Sequence, residues 1–220
     1  IVKKVLFTGS GVAIVTPFKD GTVNMPAFGR LIDRQLAEGT DAIIVCGTTG
    51  EAATMTQSER AEVIACCVDR VAGRVPVIAG TGANDTRVAC GNALAAERLG
   101  ADGLLIVTPY YNKATQQGLL RHYKAIADSV TTPIILYNVP SRTGVNILPE
   151  TYAELARHPN VVGVKEACGD LSQVQKTETS ALLILLSGPA MMTRRPPSVC
   201  WAAPGSFLWQ PMSSLPRCTN

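Results

Sequence analysis

The sequence is poor in the residues that build metal centres. It has only two histidines, His122 and His158, and its seven cysteines include no Cys-x-x-Cys pair. The histidines lack metal-ligand spacing, and no cysteine spacing supports a disulfide framework. Five cysteines lie inside apolar strand or helix patterns, where a free cysteine behaves as a small hydrophobic residue: Cys46, Cys66, Cys67, Cys90 and Cys168. The sequence therefore predicts neither a metal site nor a fold held by disulfides.

Long hydrophobic runs and strong charge are also missing. The longest apolar runs, such as 104–107 and 181–186, are far shorter than the roughly 20 residues of a transmembrane helix. A net charge of +3, with no basic stripe interleaved with aromatic residues, predicts no nucleic-acid or membrane partner. No basic-then-apolar signal segment opens the chain, so we expect a cytoplasmic location. A hydrophobic share of 46% and a charged share of 17% are typical of a soluble domain with a full core.

Short β-rich runs alternate with helical patterns up to about residue 187. Asn24 with Pro26, the capping box from Thr56 to Glu59, and Pro149 mark helix starts between these runs. The runs are continuously apolar, as expected of parallel strands covered on both faces. Seven such strands are predicted, at 12–16, 42–46, 77–80, 103–108, 134–138, 161–165 and 182–187. This α/β pattern predicts either a TIM (β/α)8 barrel that is C-terminally incomplete or an open doubly wound sheet.

Polar residues at the strand ends favour the barrel. Thr48 and Thr49 follow one strand, Tyr111 follows another, and Tyr137 and Lys165 end two more. Their positions correspond to the C-terminal rim, where barrel active sites are built. No Gly-x-Gly-x-x-Gly follows the first strand, as a doubly wound nucleotide-binding sheet would lead us to expect.

The character of the chain changes after Glu178, the last acidic residue. Six of the 14 prolines lie from Pro189 to Pro216, and no helical or strand period continues past Gly188. We therefore divide the chain into a barrel core, residues 1–188, which ends at about the seventh strand, and an atypical tail, residues 189–220.

The codons of the tail suggest a cause. Met191-Met192-Thr193 must be encoded ATG-ATG-ACN, which gives Asp-Asp when it is read one base earlier. The same shift through 199–210 permits Leu-Leu-Gly-Gly-Pro-Gly-Val-Ile-Ser-Val-Ala, a glycine turn followed by an apolar strand. Our hypothesis is that the tail is an out-of-frame translation, and sequencing the coding DNA tests it.

Lys165 closes the apolar run 161–164 and is the leading candidate for catalysis. Burial disfavours the charged form of a lysine and lowers its pKa from about 10.4 toward the range in which the amine is nucleophilic. Such a lysine can form a Schiff base. The alternative is a strand-end lysine that is solvated or paired with Glu166, although strand alternation points Glu166 to the opposite face.

Other candidates lie on the same predicted rim. Tyr137 could move protons during imine formation, or could be a packed tyrosine with a satisfied hydroxyl. The turn 47–51 (Gly-Thr-Thr-Gly-Glu) could hold a carboxylate or a phosphate, although many strand-to-helix turns have this composition. Tyr110 and Tyr111 could serve only for packing. Arg142 carries a planar fork suited to a carboxylate, or is an ordinary surface arginine.

Taken together, these motifs resemble the dihydrodipicolinate synthase family of pyruvate-dependent class I aldolases and lyases. The resemblance extends from about Phe7 to Gly188. It is carried by five segments, at 47–51, at 77–82 (Val-Ile-Ala-Gly-Thr-Gly), at 108–112 (Thr-Pro-Tyr-Tyr-Asn), at 137–144 (Tyr-Asn-Val-Pro-Ser-Arg-Thr-Gly) and at 163–167 (Gly-Val-Lys-Glu-Ala).

The resemblance implies specific roles for these residues. Lys165 would form the Schiff base with pyruvate, and Tyr137, Thr49 and Tyr111 would form the proton relay, with Tyr111 reaching into a neighbouring subunit's site. Thr48 and Thr49 would hold the pyruvate carboxylate. The carboxylate of L-aspartate 4-semialdehyde would bind Arg142. The resemblance further implies a homotetramer that needs no cofactor and that makes 4-hydroxy-tetrahydrodipicolinate in lysine (diaminopimelate) biosynthesis.

The sequence departs from the family pattern in two ways, and two rival interpretations of its function stay open. The closing strand, the last two barrel helices and a C-terminal helical segment are absent in frame, so we expect a barrel without its eighth strand. Ala52, Gln57, Arg60 and Val88 stand where lysine-inhibited members carry polar or histidine side chains, which argues against feedback inhibition by lysine. The rivals are another aldolase of the family, such as N-acetylneuraminate lyase, and an inactive truncated fragment.

Overall fold

The computed structural model describes residues 5–178, 183–186 and 199–203. Ten β-strands are described, at Ser10–Ala13 (β1), Phe18–Lys19 (β2), Thr22–Val23 (β3), Ala42–Val45 (β4), Val77–Gly80 (β5), Gly103–Val107 (β6), Ile134–Asn138 (β7), Val161–Glu166 (β8), Leu183–Leu186 (β9) and Val199–Ala203 (β10). Seven α-helices are described, at Met25–Ala37 (α1), Gln57–Val71 (α2), Thr86–Arg98 (α3), Gln116–Ser129 (α4), Pro140–Thr143 (α5), Pro149–Leu155 (α6) and Leu171–Glu178 (α7). Among the described helices, none combines the length and the apolar character needed to cross a membrane.

Eight of the strands form a closed parallel barrel. The order around it is β1, β10, β9, β8, β7, β6, β5 and β4, with β4 returning to β1. The two-stranded hairpin β2–β3 lies outside the barrel, between β1 and α1. The predicted TIM (β/α)8 barrel is therefore confirmed, and the seven strands found in the sequence all lie within it, but the expectation that it lacks its eighth strand is wrong, since β10 closes it.

One strand was missed. The sequence analysis found no strand period after Gly188, and this expectation is wrong for Val199–Ala203, which pairs in parallel with both β9 and β1. The reason is tertiary, because β1 and β9 would otherwise present two unpaired strand edges, each a strong template for pairing with an eighth strand. Apart from this strand, the residues of the tail lie outside those the structure describes.

Local sequence signals start the helices where they were expected. The Asn24 side chain accepts a hydrogen bond from the backbone N–H of Ala27 (3.1 Å) and begins α1, with Pro26 in its first turn. The capping box of α2 is present, with Glu59 accepting from the Thr56 N–H (2.8 Å) and Thr56 accepting from the Glu59 N–H (3.2 Å). These caps satisfy N–H groups that the helix itself leaves unpaired.

The core is divided into two layers by the barrel wall. Between strands and helices lies the larger layer, which includes Phe28, Ile32, Tyr123 and Tyr152, all fully buried. A smaller set fills the barrel interior and its N-terminal end, namely Leu6, Phe7, Ala13, Ala42, Ile44, Ile78, Leu105, Ile135, Tyr137, Val139 and Val162. Because the interior is packed below, the open space lies at the carboxyl ends of the strands.

Candidate active site at the carboxyl rim

Lys165 and Tyr137 are neighbours at the carboxyl ends of two adjacent strands. They are directly paired in the parallel register of β8 and β7. The Lys165 Nζ atom lies 4.7 Å from the centre of the Tyr137 ring, a distance at which a cation and an aromatic face attract. Both residues are buried, with only 7% and 8% of their surfaces exposed. The two leading catalytic candidates are therefore brought together.

Burial sets the ionisation of this pair. Loss of hydration, aided by the positive charge of Arg142, lowers the pKa of Lys165 to about 8. Burial also raises the pKa of the Tyr137 phenol, and Arg142 partly opposes that rise. Near neutral pH the tyrosine thus keeps its proton while a usable fraction of the lysine is the neutral amine.

Glu166 does not pair with Lys165. Its carboxylate is fully buried on the other face of β8, where it accepts hydrogen bonds from the Tyr152 hydroxyl (2.8 Å) and the Asn138 amide (2.9 Å). The alternative of a simple Lys165–Glu166 ion pair is therefore wrong, and the two side chains lie on opposite faces of β8, as strand alternation predicted.

Arg142 lies on the short helix α5, which begins at Pro140 directly after β7. It is exposed, yet it is close enough to Lys165 and Tyr137 to affect the pKa of both. Gly144 ends this helix in the left-handed region (φ 72°), where glycine is favoured. The arrangement places an exposed guanidinium charge near Lys165 and Tyr137 at the carboxyl end of β7.

The turn after β4 carries the two candidate threonines. Two backbone hydrogen bonds close it, from the Gly50 N–H to the Gly47 carbonyl and from the Glu51 N–H to the Thr48 carbonyl, both 3.1 Å. Thr48 is exposed and Thr49 is half-buried. A cavity of about 200 Å³ opens beside the turn, and Thr48 and Tyr137 both line it.

The backbone of this turn depends on a glycine in the next strand. A Cβ atom added at Gly80 would lie 2.1 Å from the carbonyl oxygen of Cys46. Cys46 itself has a positive φ of 55°, in the left-handed region that non-glycine residues rarely adopt. The bare backbone of Gly80 thus lets the turn approach the barrel, a requirement that the sequence analysis did not identify.

Tyr111 differs from the other candidates. Its side chain is 88% exposed, and its backbone has a left-handed φ of 75°. Such a conformation costs about 1–3 kcal/mol and commonly marks a functional position. Tyr110, in contrast, lines the cavity together with Arg60, whose Nη2 donates to the Gly80 carbonyl (3.0 Å).

The fold and the rim define a (β/α)8-barrel protein with a buried lysine of lowered pKa at the carboxyl end of one barrel strand. The match to known proteins is more specific, since the Dihydrodipicolinate synthetase family matches residues 6–196 of this chain. The chain therefore belongs to the Dihydrodipicolinate synthetase family.

Individual relatives agree with this assignment. A 4-hydroxy-tetrahydrodipicolinate synthase of Thermoanaerobacter sp. is 60% identical over 170 residues, covering 77% of this chain and 57% of the relative. One of Caldicellulosiruptor bescii is 61% identical over 170 residues, covering 77% and 58%. A solved dihydrodipicolinate synthase from Acinetobacter baumannii, complexed with pyruvate, is 46% identical with a TM-score of 0.79, covering 82% of this chain and 63% of that one. The chain thus spans somewhat more than half the length of these curated relatives.

Proposed function

We propose that the protein is a lyase, a 4-hydroxy-tetrahydrodipicolinate synthase, acting in lysine (diaminopimelate) biosynthesis in the cytoplasm. It condenses pyruvate with L-aspartate 4-semialdehyde through a Schiff base on Lys165. The observation that carries the proposal is the buried Lys165 amine, with its pKa lowered to about 8, against the ring of Tyr137. Membership of the family and the names of its relatives support the choice of substrates.

The proposed reaction begins with attack of the neutral Lys165 amine on the ketone carbon of pyruvate. Tyr137 gives a proton to the developing alkoxide and assists loss of water, which leaves a protonated imine. Thr48 and Thr49 hold the pyruvate carboxylate at the turn after β4. The imine withdraws electrons from the adjacent methyl group, which loses a proton to give an enamine.

Carbon–carbon bond formation follows from the enamine. Its terminal carbon attacks the aldehyde of the semialdehyde, whose carboxylate binds Arg142 at the entrance. The amine of the new chain then attacks the imine carbon, closes the ring and releases Lys165. In this mechanism the protonated imine serves as the electron sink.

We further propose that Tyr111 completes the relay in a neighbouring subunit of a homotetramer. Two features support this role, namely the 88% exposure of the side chain and its costly left-handed backbone. A residue that only packed within its own chain would gain nothing from either feature.

The first experiment incubates the protein with pyruvate and borohydride, followed by intact mass and peptide mapping. A reduced pyruvyl adduct on Lys165 is the expected result. Consumption of aspartate semialdehyde, compared with cleavage of N-acetylneuraminate, then distinguishes the synthase from another aldolase of the family. Soluble, cooperatively folded protein that forms no adduct would refute the mechanism, and an aggregated product would instead identify an inactive fragment.

Substitution of Tyr137 by phenylalanine tests the proton relay. Phenylalanine keeps the ring beside Lys165 but lacks the hydroxyl, so imine formation should slow by about 10²–10⁴-fold, the usual range for one acid–base group. The measurement is the rate of borohydride-trapped adduct. Tyr123→Phe is the matched control, since the Tyr123 hydroxyl is buried outside the barrel on the Ile106 carbonyl (3.2 Å). Equal rates in the two variants would remove Tyr137 from the relay.

Substitution of Arg142 by glutamine tests two effects of one charge. The KM for aspartate semialdehyde should rise by about 10–100-fold, because a charge-assisted hydrogen bond contributes about 1.5–3 kcal/mol. The pH at which trapping reaches half of its maximal rate should also rise, since Arg142 helps to lower the pKa of Lys165. Arg157→Gln, on the surface of the protein, is the control. A variant with unchanged KM and unchanged pH profile would contradict both effects.

A further inference from the structure

The ends of β7 and β8 present two different pairs of residues on opposite faces. Tyr137 and Lys165 face the barrel interior, and they are followed by Asn138 and Glu166, which face the helices. The second pair is also directly opposed in the register, and the Asn138 amide donates to the Glu166 carboxylate over 2.9 Å. The residues that directly follow Tyr137 and Lys165 therefore form a hydrogen bond to each other across the two strands.

The Glu166 carboxylate is fully buried and accepts five hydrogen bonds. One oxygen accepts from Asn138 (2.9 Å) and from two backbone N–H groups, and the other accepts from Tyr152 (2.8 Å) and Gln173 (3.4 Å). The backbone donors belong to Ala167 (3.0 Å) and Cys168 (2.9 Å). We call Glu166 with Asn138, Tyr152 and Gln173 the Glu166 cluster.

The Glu166 cluster extends to the segment that follows Arg142. The Asn146 side chain bonds to both Asn138 and Gln173, each over 2.7 Å. Asn138 in turn accepts from the Ile147 N–H (3.1 Å), and Gln173 donates to the Ile147 carbonyl (3.2 Å). The same side chains thus fix the end of β8 and the return of the chain from α5.

We propose that Glu166 is a positioning residue, whose buried carboxylate holds the ends of β7 and β8 in register so that the Lys165 amine stays enclosed beside Tyr137. This inference rests on the proposed function of Lys165 as the Schiff-base nucleophile. Burying a carboxylate costs free energy unless hydrogen bonds satisfy its lone pairs. If the position served stability alone, an apolar side chain of similar volume would stabilise the fold equally well. Here five donors converge on one acceptor-only group, which fixes their positions more strictly than apolar contacts do.

The neighbouring groups keep the two faces distinct. Arg142 and Tyr137 are the charged and titratable groups against Lys165, whereas Tyr152 and Cys168 are those against Glu166. A change at Glu166 therefore reaches Lys165 through the position of the strand. It should be seen as a change in how well the amine is enclosed.

The test measures the reactivity of the Lys165 amine in two variants, Glu166→Gln and the control Glu154→Gln. Glutamine has nearly the same shape but directs an NH2 group at donors, whereas Glu154 is a partly exposed carboxylate paired with Lys124 and Arg157. Competitive labelling with trace acetic anhydride, followed by peptide mapping, gives the pH midpoint of the Lys165 amine without any substrate. Borohydride trapping of pyruvate is measured in parallel, and thermal unfolding reports folding.

The expected result is a labelling midpoint about one pH unit higher in Glu166→Gln, with about tenfold slower trapping, and neither change in Glu154→Gln. An unchanged midpoint in folded Glu166→Gln overturns the inference. If that variant does not fold, Tyr152→Phe removes one of the five donors and should shift the midpoint in the same direction by less. A wild-type midpoint in Tyr152→Phe, with only a lower unfolding temperature, would make the cluster structural. Failure of the wild type to trap pyruvate would refute the proposed function, while the labelling comparison still decides the role of Glu166.

Discussion

Lys165→Ala should form no borohydride-stable adduct with pyruvate and should lose essentially all synthase activity. Removal of a covalent nucleophile typically lowers turnover by about 10⁴–10⁶-fold. Lys165→Arg should be as inactive, because a guanidinium stays protonated and cannot form an imine. Mass spectrometry after trapping, together with turnover of aspartate semialdehyde, measures both variants.

If Lys165 is the nucleophile, its pKa should set the pH dependence of trapping in the wild type. Only the neutral amine attacks, so the rate should rise with pH through about 8, where the pKa of Lys165 lies. At pH 7 about a tenth of the amine is neutral, and at pH 9 about nine tenths. An ordinary surface lysine would instead continue to gain reactivity up to about pH 10.4.

Two controls separate chemistry from folding in this experiment. Lys124→Ala removes a surface lysine paired with Glu154 and should leave the adduct unchanged. Lys165→Ala removes a buried, poorly hydrated amine, so its unfolding temperature should equal or exceed that of the wild type. An adduct that persists in Lys165→Ala would assign the Schiff base to another lysine.

Gly80→Ala should be the most damaging single-methyl substitution at the rim. The added Cβ would lie 2.1 Å from the carbonyl oxygen and 2.7 Å from the carbonyl carbon of Cys46, both of them backbone atoms. Neither β5 nor the turn can yield without breaking barrel hydrogen bonds, so we expect a loss of about 3 kcal/mol in the free energy of unfolding. Trapping of pyruvate should also slow, because the displaced turn carries Thr48 and Thr49.

Gly91→Ala is the matched control for this substitution. Gly91 lies within α3, and a Cβ added there meets no atom within 4 Å. The same chemical change should therefore stabilise the protein by about 0.5–1 kcal/mol, as usual for glycine to alanine in a helix. Denaturant unfolding of the two variants measures the difference, and equal stabilities would show that the turn does not depend on close approach to β5.

Local chemistry in the sequence was enough to predict most of the fold. Continuous apolar runs marked seven barrel strands, and caps such as Asn24 and the Thr56–Glu59 box marked helix starts. The eighth strand, Val199–Ala203, is also a run of five apolar residues, but it lies between prolines in a segment without a regular period, and its pairing depends on the two strand edges that meet there. The hypothesis of an out-of-frame tail remains a prediction, because nearly all of residues 189–220 lie outside the described residues.

The sequence alone determined which residues could carry the chemistry, because Lys165 and Tyr137 end buried strands and strand alternation separates Lys165 from Glu166. Only the tertiary structure decided how these residues act on one another. The 4.7 Å approach of Lys165 to Tyr137, the influence of Arg142 on both, and the five hydrogen bonds of Glu166 join residues from separate strands and helices. A pKa depends on burial and on charges brought near by folding, and neither quantity is a property of a residue's neighbours along the chain.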